Sequence, residues 1–175
     1  MRSKIILCIT ILCVFLLQST LIERLSIGAI TPNLVLIFCV SIGLMRGRKS
    51  GLLTGFFSGL LIDIFYGSLL GVYALIYMYV GYLSGYAHQY CYDDDLKVPV
   101  MLVAVLDLFY GIAVYGLQFL LRGRLEFKMY LVRIILPEIC YTVFLTLICY
   151  RIIRLINYHL IGERKRESES IWVLK

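Results

Sequence analysis

The chain has 175 residues, of which 61% are apolar and only 16% are charged, and its mean hydropathy is +0.90. A water-soluble domain is about 45–50% apolar and about 25% charged, so this composition excludes an ordinary soluble globule. It also excludes a disordered chain, which needs low hydrophobicity. The net charge of +6 reflects basic residues at the ends of apolar runs, where they indicate membrane topology rather than nucleic-acid binding.

The apolar runs predict an all-α integral membrane domain over residues 1–175, because each spanning helix needs roughly 20 apolar residues. The predicted spans are 5–22, 31–47, 50–66, 69–88, 98–121 and 131–152, followed by a basic cytoplasmic tail at 153–175. The first run resembles a signal peptide, but its length and the lack of a small-residue cleavage motif favour an uncleaved span. Thr31 is the predicted N-cap of the second span, with Pro32 in the first turn.

The number of spans is tested by helix length and by the distribution of basic residues. One helix over 52–88 would be about 55 Å long, far more than the ~30 Å hydrocarbon core, so this region is predicted to be a hairpin. With six spans and both termini in the cytoplasm, 12 basic residues lie inside and 5 outside. Fusing spans three and four gives 9 inside and 8 outside, which removes the bias. We therefore expect a six-helix bundle.

Glycine recurs at every fourth position from 43 to 59, and the pairs 67/71 and 81/85 repeat this spacing. Residues four apart share one face of a helix, and close backbone packing drives helix association in lipid. The predicted packing face comprises Gly51, Gly55, Gly59, Gly67 and Gly71. The spacing leaves two interpretations open, namely packing within the chain and docking of a partner's helix.

Three acidic residues interrupt the apolar spans, and an intramembrane acid is a functional-site hypothesis by default. Asp63 and Glu138 are expected near the outer ends of their spans, at the same level as Arg133, whereas Asp107 is expected near the midplane. This candidate polar cluster of Asp63, Asp107, Arg133 and Glu138 could be a structural clamp, a partner or ligand site, or a proton relay. Pro137 is expected to kink the sixth span.

Two basic segments are candidate contact sites. Arg46, Arg48 and Lys49 end the second span on the cytoplasmic side, where they could fix topology, contact anionic lipids or bind a partner. The segment 122–133 is basic although it is predicted to lie outside. Its Arg122, Arg124 and Lys128 are therefore a candidate outer partner loop.

The chain lacks the usual signatures of intramembrane catalysis. It has two histidines, and it contains no GxSG, GxGD or HExxH motif and no P-loop. Its six cysteines show no CxxC spacing, which argues against a zinc site or a disulfide framework. We expect no enzyme activity, no cofactor and no metal.

The stretch from Pro32 to Gly85 resembles the MreD family of bacterial rod shape-determining proteins. The matching elements are Pro32-Asn33, Gly43-Leu44-Met45-Arg46-Gly47, Gly51, Gly55-Phe56, Gly59-Leu60-Leu61, Asp63, Gly67-Ser68, Gly71 and Ala74-Leu75. These motifs cover about a third of the chain, while the last two predicted spans match only in hydropathy.

The resemblance implies a non-catalytic scaffold in the bacterial cytoplasmic membrane. Its implied partners are membrane lipids and MreC, with RodA, a class B penicillin-binding transpeptidase and the MreB filament in the same rod complex. The glycine face and the outer basic loop would then be candidate contacts for MreC. On this interpretation the protein helps to position peptidoglycan synthesis and so maintains cell shape.

The same topology is similar to that of the substrate-binding subunits of energy-coupling-factor transporters. This similarity provides an alternative function, a subunit that binds a small vitamin-type molecule. Short spans rich in glycine and proline can mark a binding site near the midplane of a transporter. The scarcity of polar residues in the spans counts against a hydrophilic vitamin.

Overall fold

The computed structural model describes residues 2–22, 31–67, 70–90, 97–122 and 127–173, with side chains over 6–20, 31–67, 70–88, 97–117 and 129–155. Throughout these ranges the regular structure is helical, as the sequence predicts, and no strand occurs in them. The α-helices are α1 Arg2–Leu17, α2 Leu34–Arg46, α3 Arg48–Tyr66, α4 Val72–Tyr86, α5 Lys97–Arg122, α6 Phe127–Tyr130 and α7 Leu136–Val173. Short π-helical turns cover Gln18–Ile22 and Leu131–Ile135, and a 3₁₀ turn covers Ala87–Tyr90.

The centre of the bundle is α2, a helix of 13 residues that is buried on all sides from Val35 to Leu44. It packs against α1, α3, α4, α5 and α7. A helix that is apolar around its whole circumference has no face for water, which explains why α2 occupies the core. The ends of α2 therefore define the two ends of the bundle around which the polar groups gather.

The glycine-rich face of α3 packs against α4 of the same chain. A Cβ atom on Gly59 would lie 2.5 Å from the Tyr73 carbonyl oxygen and 2.6 Å from the Ala74 Cα. Similarly, a Cβ on Gly51 or Gly55 would collide with the backbone of α4. A glycine at every fourth residue thus allows the two helix backbones to approach more closely than larger side chains would permit.

Two glycines with positive φ shape the connections around α3. Gly47, at φ 82°, is the single residue between α2 and α3, and Gly71, at φ 100°, immediately precedes α4. Residues with a Cβ rarely adopt these angles, so glycine is the natural residue at both breaks. Gly67 ends α3, and its N–H donates to the Asp63 carbonyl at 3.0 Å.

The start of α2 differs from the predicted one. Asn33, not Thr31, is the N-cap, because its Oδ1 accepts from the Leu36 N–H at 3.0 Å. Pro32 precedes the cap instead of entering the first turn. Since proline disfavours helical angles in the residue before it, Thr31 lies too early to begin the helix.

The most apolar long helical segments are Lys97–Leu117 and Leu131–Leu155, each long enough to cross a bilayer. Ile6–Thr20 and Leu34–Arg46 are apolar but shorter. Large apolar side chains on α5 and α7 point outward, including Met101 and Phe144, which are 72% and 63% exposed. An apolar surface of this kind is compatible with a membrane protein.

The backbone around Pro137 is irregular before the proline and regular after it. The π-helical turn Leu131–Ile135 leads directly into α7, and Pro137 is the second residue of that helix. Pro137 has no N–H to donate to a carbonyl of the preceding π-helical turn, which agrees with the irregular backbone just before it. From there α7 continues as a helix to Val173, through most of the segment predicted as the tail.

Candidate functional site

A polar cavity of about 220 Å³ lies at the end of the bundle where α1 and α3 end and α2 and α7 begin. Its walls consist mostly of aromatic and polar side chains, contributed by five α-helices, the π-helical turn after α1 and the segment just before α2. The lining residues are Phe15, Gln18, Ser19, Thr31, Asn33, Ile62, Tyr66, Tyr77, Tyr110 and Glu138. We call this space the polar cavity.

One wall of the polar cavity is a hydrogen-bonded network around the first turn of α2. The Tyr77 hydroxyl, on a side chain only 1% exposed, donates to Asn33 Oδ1 at 2.8 Å. Gln18 completes the turn, because its Oε1 accepts from the Leu34 N–H at 2.8 Å and its Nε2 donates to the Pro32 carbonyl at 3.1 Å. The Tyr110 ring packs against that of Tyr77, with centroids 5.2 Å apart.

Two carboxyl groups lie where α5 packs on α7. Glu138 lines the polar cavity, and Asp107 lies close enough for its charge to act on Glu138. Asp107 is only 2% exposed, and neither of its carboxylate oxygens has a hydrogen-bond partner. A buried polar group without a partner is uncommon and calls for an explanation.

The Thr142 hydroxyl is a polar neighbour of Asp107, but the hydroxyl proton of Thr142 is already donated elsewhere. Thr142 donates to the Glu138 backbone carbonyl at 2.8 Å and accepts from the Asn33 N–H at 3.3 Å. A hydroxyl has only one proton to donate. Thr142 therefore ties α7 to the start of α2 and leaves Asp107 unsatisfied.

Asp63 has a different role, as the cap of α4. Its Oδ1 accepts from the Tyr73 N–H at 3.0 Å and its Oδ2 from the Ala74 N–H at 2.7 Å, and the side chain is only 1% exposed. These are N–H groups of the first turn of α4, which have no intrahelical acceptor. Gly71, the residue at the cap position, has no side chain, so an acid from α3 replaces the usual cap.

A scan against protein families matches residues 1–158 to the family described as rod shape-determining protein MreD. The chain belongs to the MreD family. Searches of curated proteins and of solved structures returned no match. The match covers the last two helical regions as well as the glycine-rich part that carries the resemblance in the sequence. Membership of this family assigns the chain a part in determining rod shape.

The four residues of the candidate polar cluster have different surroundings in this MreD-family chain. Asp107 and Glu138 are neighbours, while Asp63 is occupied by the backbone of α4. Arg133 is exposed on the π-helical turn before α7. Among the described residues, no group of three potential metal ligands comes together.

The basic residues on either side of Gly47, between α2 and α3, have different surroundings. Arg48 and Lys49 are exposed, and the Arg48 guanidinium carbon lies 4.0 Å from the centroid of the Tyr86 ring. Arg46 is half-buried and lines a second, apolar cavity of about 240 Å³ between α1, α2 and α7. Arg46 and Arg48 thus have packing roles inside this MreD-family chain.

The outer basic loop is only partly described. Arg122 ends α5 and Lys128 lies in α6, but their side chains are outside the described residues, as is the whole of Arg124. The contact role of this loop in the MreD family therefore stays a prediction.

The predicted site residues did not include Gln18, Asn33 and Tyr77, which line the polar cavity, or Thr142, which ties α7 to α2. A polar residue late in an apolar run, such as Gln18, is a usable signal, because a polar group in a span needs a partner. Asn33 follows Pro32 at the start of a span, where a cap is expected. Tyr77 is one of 14 tyrosines, and nothing in the sequence distinguishes it.

Proposed function

We propose that the chain is a non-catalytic, multi-pass scaffold of the cell-elongation complex in the bacterial cytoplasmic membrane. The family match over residues 1–158 carries this proposal. In it the protein helps MreC and the peptidoglycan synthases, RodA and a class B penicillin-binding transpeptidase, to work along the MreB filament. Lipids surround the bundle, and the chain performs no chemistry of its own.

The proposed topology has six spans with both termini in the cytoplasm. It is supported by a helix in each predicted segment and by the 12-to-5 asymmetry of basic residues. Single cysteines at Lys49 and Ser68, in a cysteine-free background, test it with a membrane-impermeant maleimide. Intact cells should label position 68, and position 49 should react only after permeabilisation. Labelling of both positions in intact cells would contradict this topology.

We propose two surfaces for partners. The glycine face of α3 is covered by α4, but large apolar side chains on α5 and α7 point outward. The basic loop of Arg122, Arg124 and Lys128 is proposed from its sequence alone. A basic loop on a membrane protein binds a partner through charges that remain accessible at the surface. We assign this loop to MreC and the apolar faces to the spans of the synthases.

The size of the polar cavity also favours a scaffold over a vitamin-binding transporter subunit. Pockets for drug-sized or cofactor-sized molecules measure roughly 300–1,000 Å³. The polar cavity, at about 220 Å³, lies below this range. It is large enough for a side chain or a very small molecule.

The proposal is tested by depletion and complementation in a rod-shaped host. Depletion should round the cells, and the wild-type chain should restore rods and co-purify with MreC. Reversing the charges of Arg122, Arg124 and Lys128 together should reduce recovery of MreC at least fivefold. Reversing the exposed Arg151, inside α7 and near the opposite end of the predicted span 131–152, is the control and should not reduce it. Rods that persist after deletion, in a host without a second copy, would refute the scaffold function.

A further inference from the structure

The polar cavity holds an electrostatic imbalance that the described chain does not resolve by itself. Asp107 and Glu138 lie on different helices, close enough for the charge of Asp107 to act on Glu138. Among the described residues, no arginine or lysine is one of the charges that act on either carboxyl group. Removing charge from water without a partner is costly, so the buried pair must be neutralised by something.

The chemistry of the walls selects the kind of group that could neutralise the pair. Tyr77 and Tyr110 place aromatic rings beside the cavity, and aromatic faces attract cations. Asn33 and Gln18 add amide groups, although their oxygens already accept from Tyr77 and Leu34. Acidic groups beside aromatic rings favour a positive ligand and disfavour an anion.

The charge of the carboxyl pair and the size of the cavity further restrict which ligand can bind. Two adjacent carboxyl groups do not both ionise readily, so the pair has at most one negative charge to balance. A single positive charge then completes its neutralisation. Within about 220 Å³ this charge has to be compact.

From these observations we infer that the polar cavity, with Glu138 at its wall and the unsatisfied Asp107 behind it, is a binding site for one compact organic cation, a primary ammonium group. The ammonium belongs either to a small free amine or to a lysine side chain at the end of a partner's span. Glu138 contacts the ammonium directly. Asp107 shares the single negative charge of the pair with Glu138, and the tyrosine rings flank the ligand.

The first experiment uses the full chain in nanodiscs of zwitterionic lipid, with n-butylammonium as the probe. n-Butanol is the neutral analogue of the same shape, and sodium chloride controls for ionic strength. At ten times its Kd the ammonium probe should raise Tm by about 3–6 °C, and n-butanol should not. An equal response to both probes, or none to either, would overturn the site and leave a carboxyl pair neutralised by protons alone.

Substitutions test whether the ammonium-dependent rise in Tm arises at the polar cavity. Glu138→Gln should abolish the ammonium-dependent rise in Tm, and Asp107→Asn should weaken it at least threefold in apparent affinity. Tyr79→Phe, which removes a hydroxyl from an exposed side chain, is the control and should respond as the wild type does. If Glu138→Gln does not fold, Asp107→Asn and the wild-type comparison of the two probes still decide the question. An unchanged response in both acid variants would refute this location.

A second measurement distinguishes the two sources of the ammonium group. Native mass spectrometry of the chain purified from its own membrane should show an amine adduct that Glu138→Gln loses, if the source is a small molecule. If the source is a partner's lysine, no adduct appears and n-butylammonium competes with retention of the partner. The site does not depend on the scaffold function, because the nanodisc experiment uses the isolated chain and the cell-shape experiment does not involve the probe.

Discussion

Replacing Gly59 with alanine tests whether the close approach of α3 and α4 holds the bundle together. The added Cβ would lie 2.6 Å from the Ala74 Cα and 2.8 Å from the Ala74 nitrogen, both of them backbone atoms. Carbon atoms in good contact are about 3.5–4.0 Å apart, so the two helices would have to separate locally by roughly 1 Å. Overpacking of this kind costs about 1–3 kcal/mol.

Gly116→Ala is the matched control, because a Cβ at Gly116 has no heavy atom within 4 Å. Both substitutions replace a helical glycine with alanine and gain about 1 kcal/mol of helix propensity. The difference between the two variants therefore isolates the contact with α4. At about 2–4 °C per kcal/mol, Tm of Gly59→Ala should be roughly 2–12 °C below that of Gly116→Ala.

The assay is thermal unfolding of the full chain in nanodiscs, followed by circular dichroism. Gly55→Ala, whose Cβ would collide with the Tyr77 carbonyl, should repeat the result. A Tm for Gly59→Ala equal to or above that of Gly116→Ala would refute the argument. It would mean that α3 and α4 can move apart without a loss of stability, and that the glycine spacing serves another purpose.

Three further predictions concern polar and backbone features, all measured as Tm in the same nanodiscs. Asp63→Asn should destabilise the chain by about 1–3 kcal/mol, because the new NH2 group replaces one of the two accepting oxygens and cannot accept from an N–H of α4; an unchanged Tm would contradict the capping role. Gly71→Ala should cost roughly 1–2 kcal/mol despite the open space around it, since φ 100° strains a residue with a Cβ, and a stabilised variant would argue against that backbone. Tyr77→Phe should cost about 1 kcal/mol through its lost hydrogen bond to Asn33, and a Tm equal to that of the wild type would contradict this role.

The helices were predictable from the sequence because their signals are local. Long apolar runs, the length limit on a single helix over 52–88 and the fourfold glycine spacing each depend on neighbouring residues. Most predicted segments agree with the observed helices to within a few residues, as for 50–66 and Arg48–Tyr66, whereas α7 continues to Val173, well beyond the predicted end at 152. The spacing also identified a packing face, although it could not show that α4 is what packs there.

The polar groups were harder to predict because their partners are distant in sequence. Asp63 and Glu138 were predicted to share a level in the bundle, but Asp63 accepts from two N–H groups of the first turn of α4. The Asn33 side chain also accepts from the Tyr77 hydroxyl, a partner 44 residues away that no local pattern indicates. Only the fold brings such groups together, and hydropathy contains no information about which partner an acid will find.

The short central helix α2 has a consequence for how the protein responds to its bilayer. Its 13 residues extend roughly 20 Å, about two thirds of a ~30 Å hydrocarbon core. Protein groups serve both of its ends, with Gln18 accepting from the Leu34 N–H and the His88 ring bonded to the Leu44 carbonyl. Lipid headgroups are therefore not needed to satisfy this helix. A change in bilayer thickness should tilt or strain α5 and α7 at the periphery, while α2 stays in place as a part whose length is independent of the membrane.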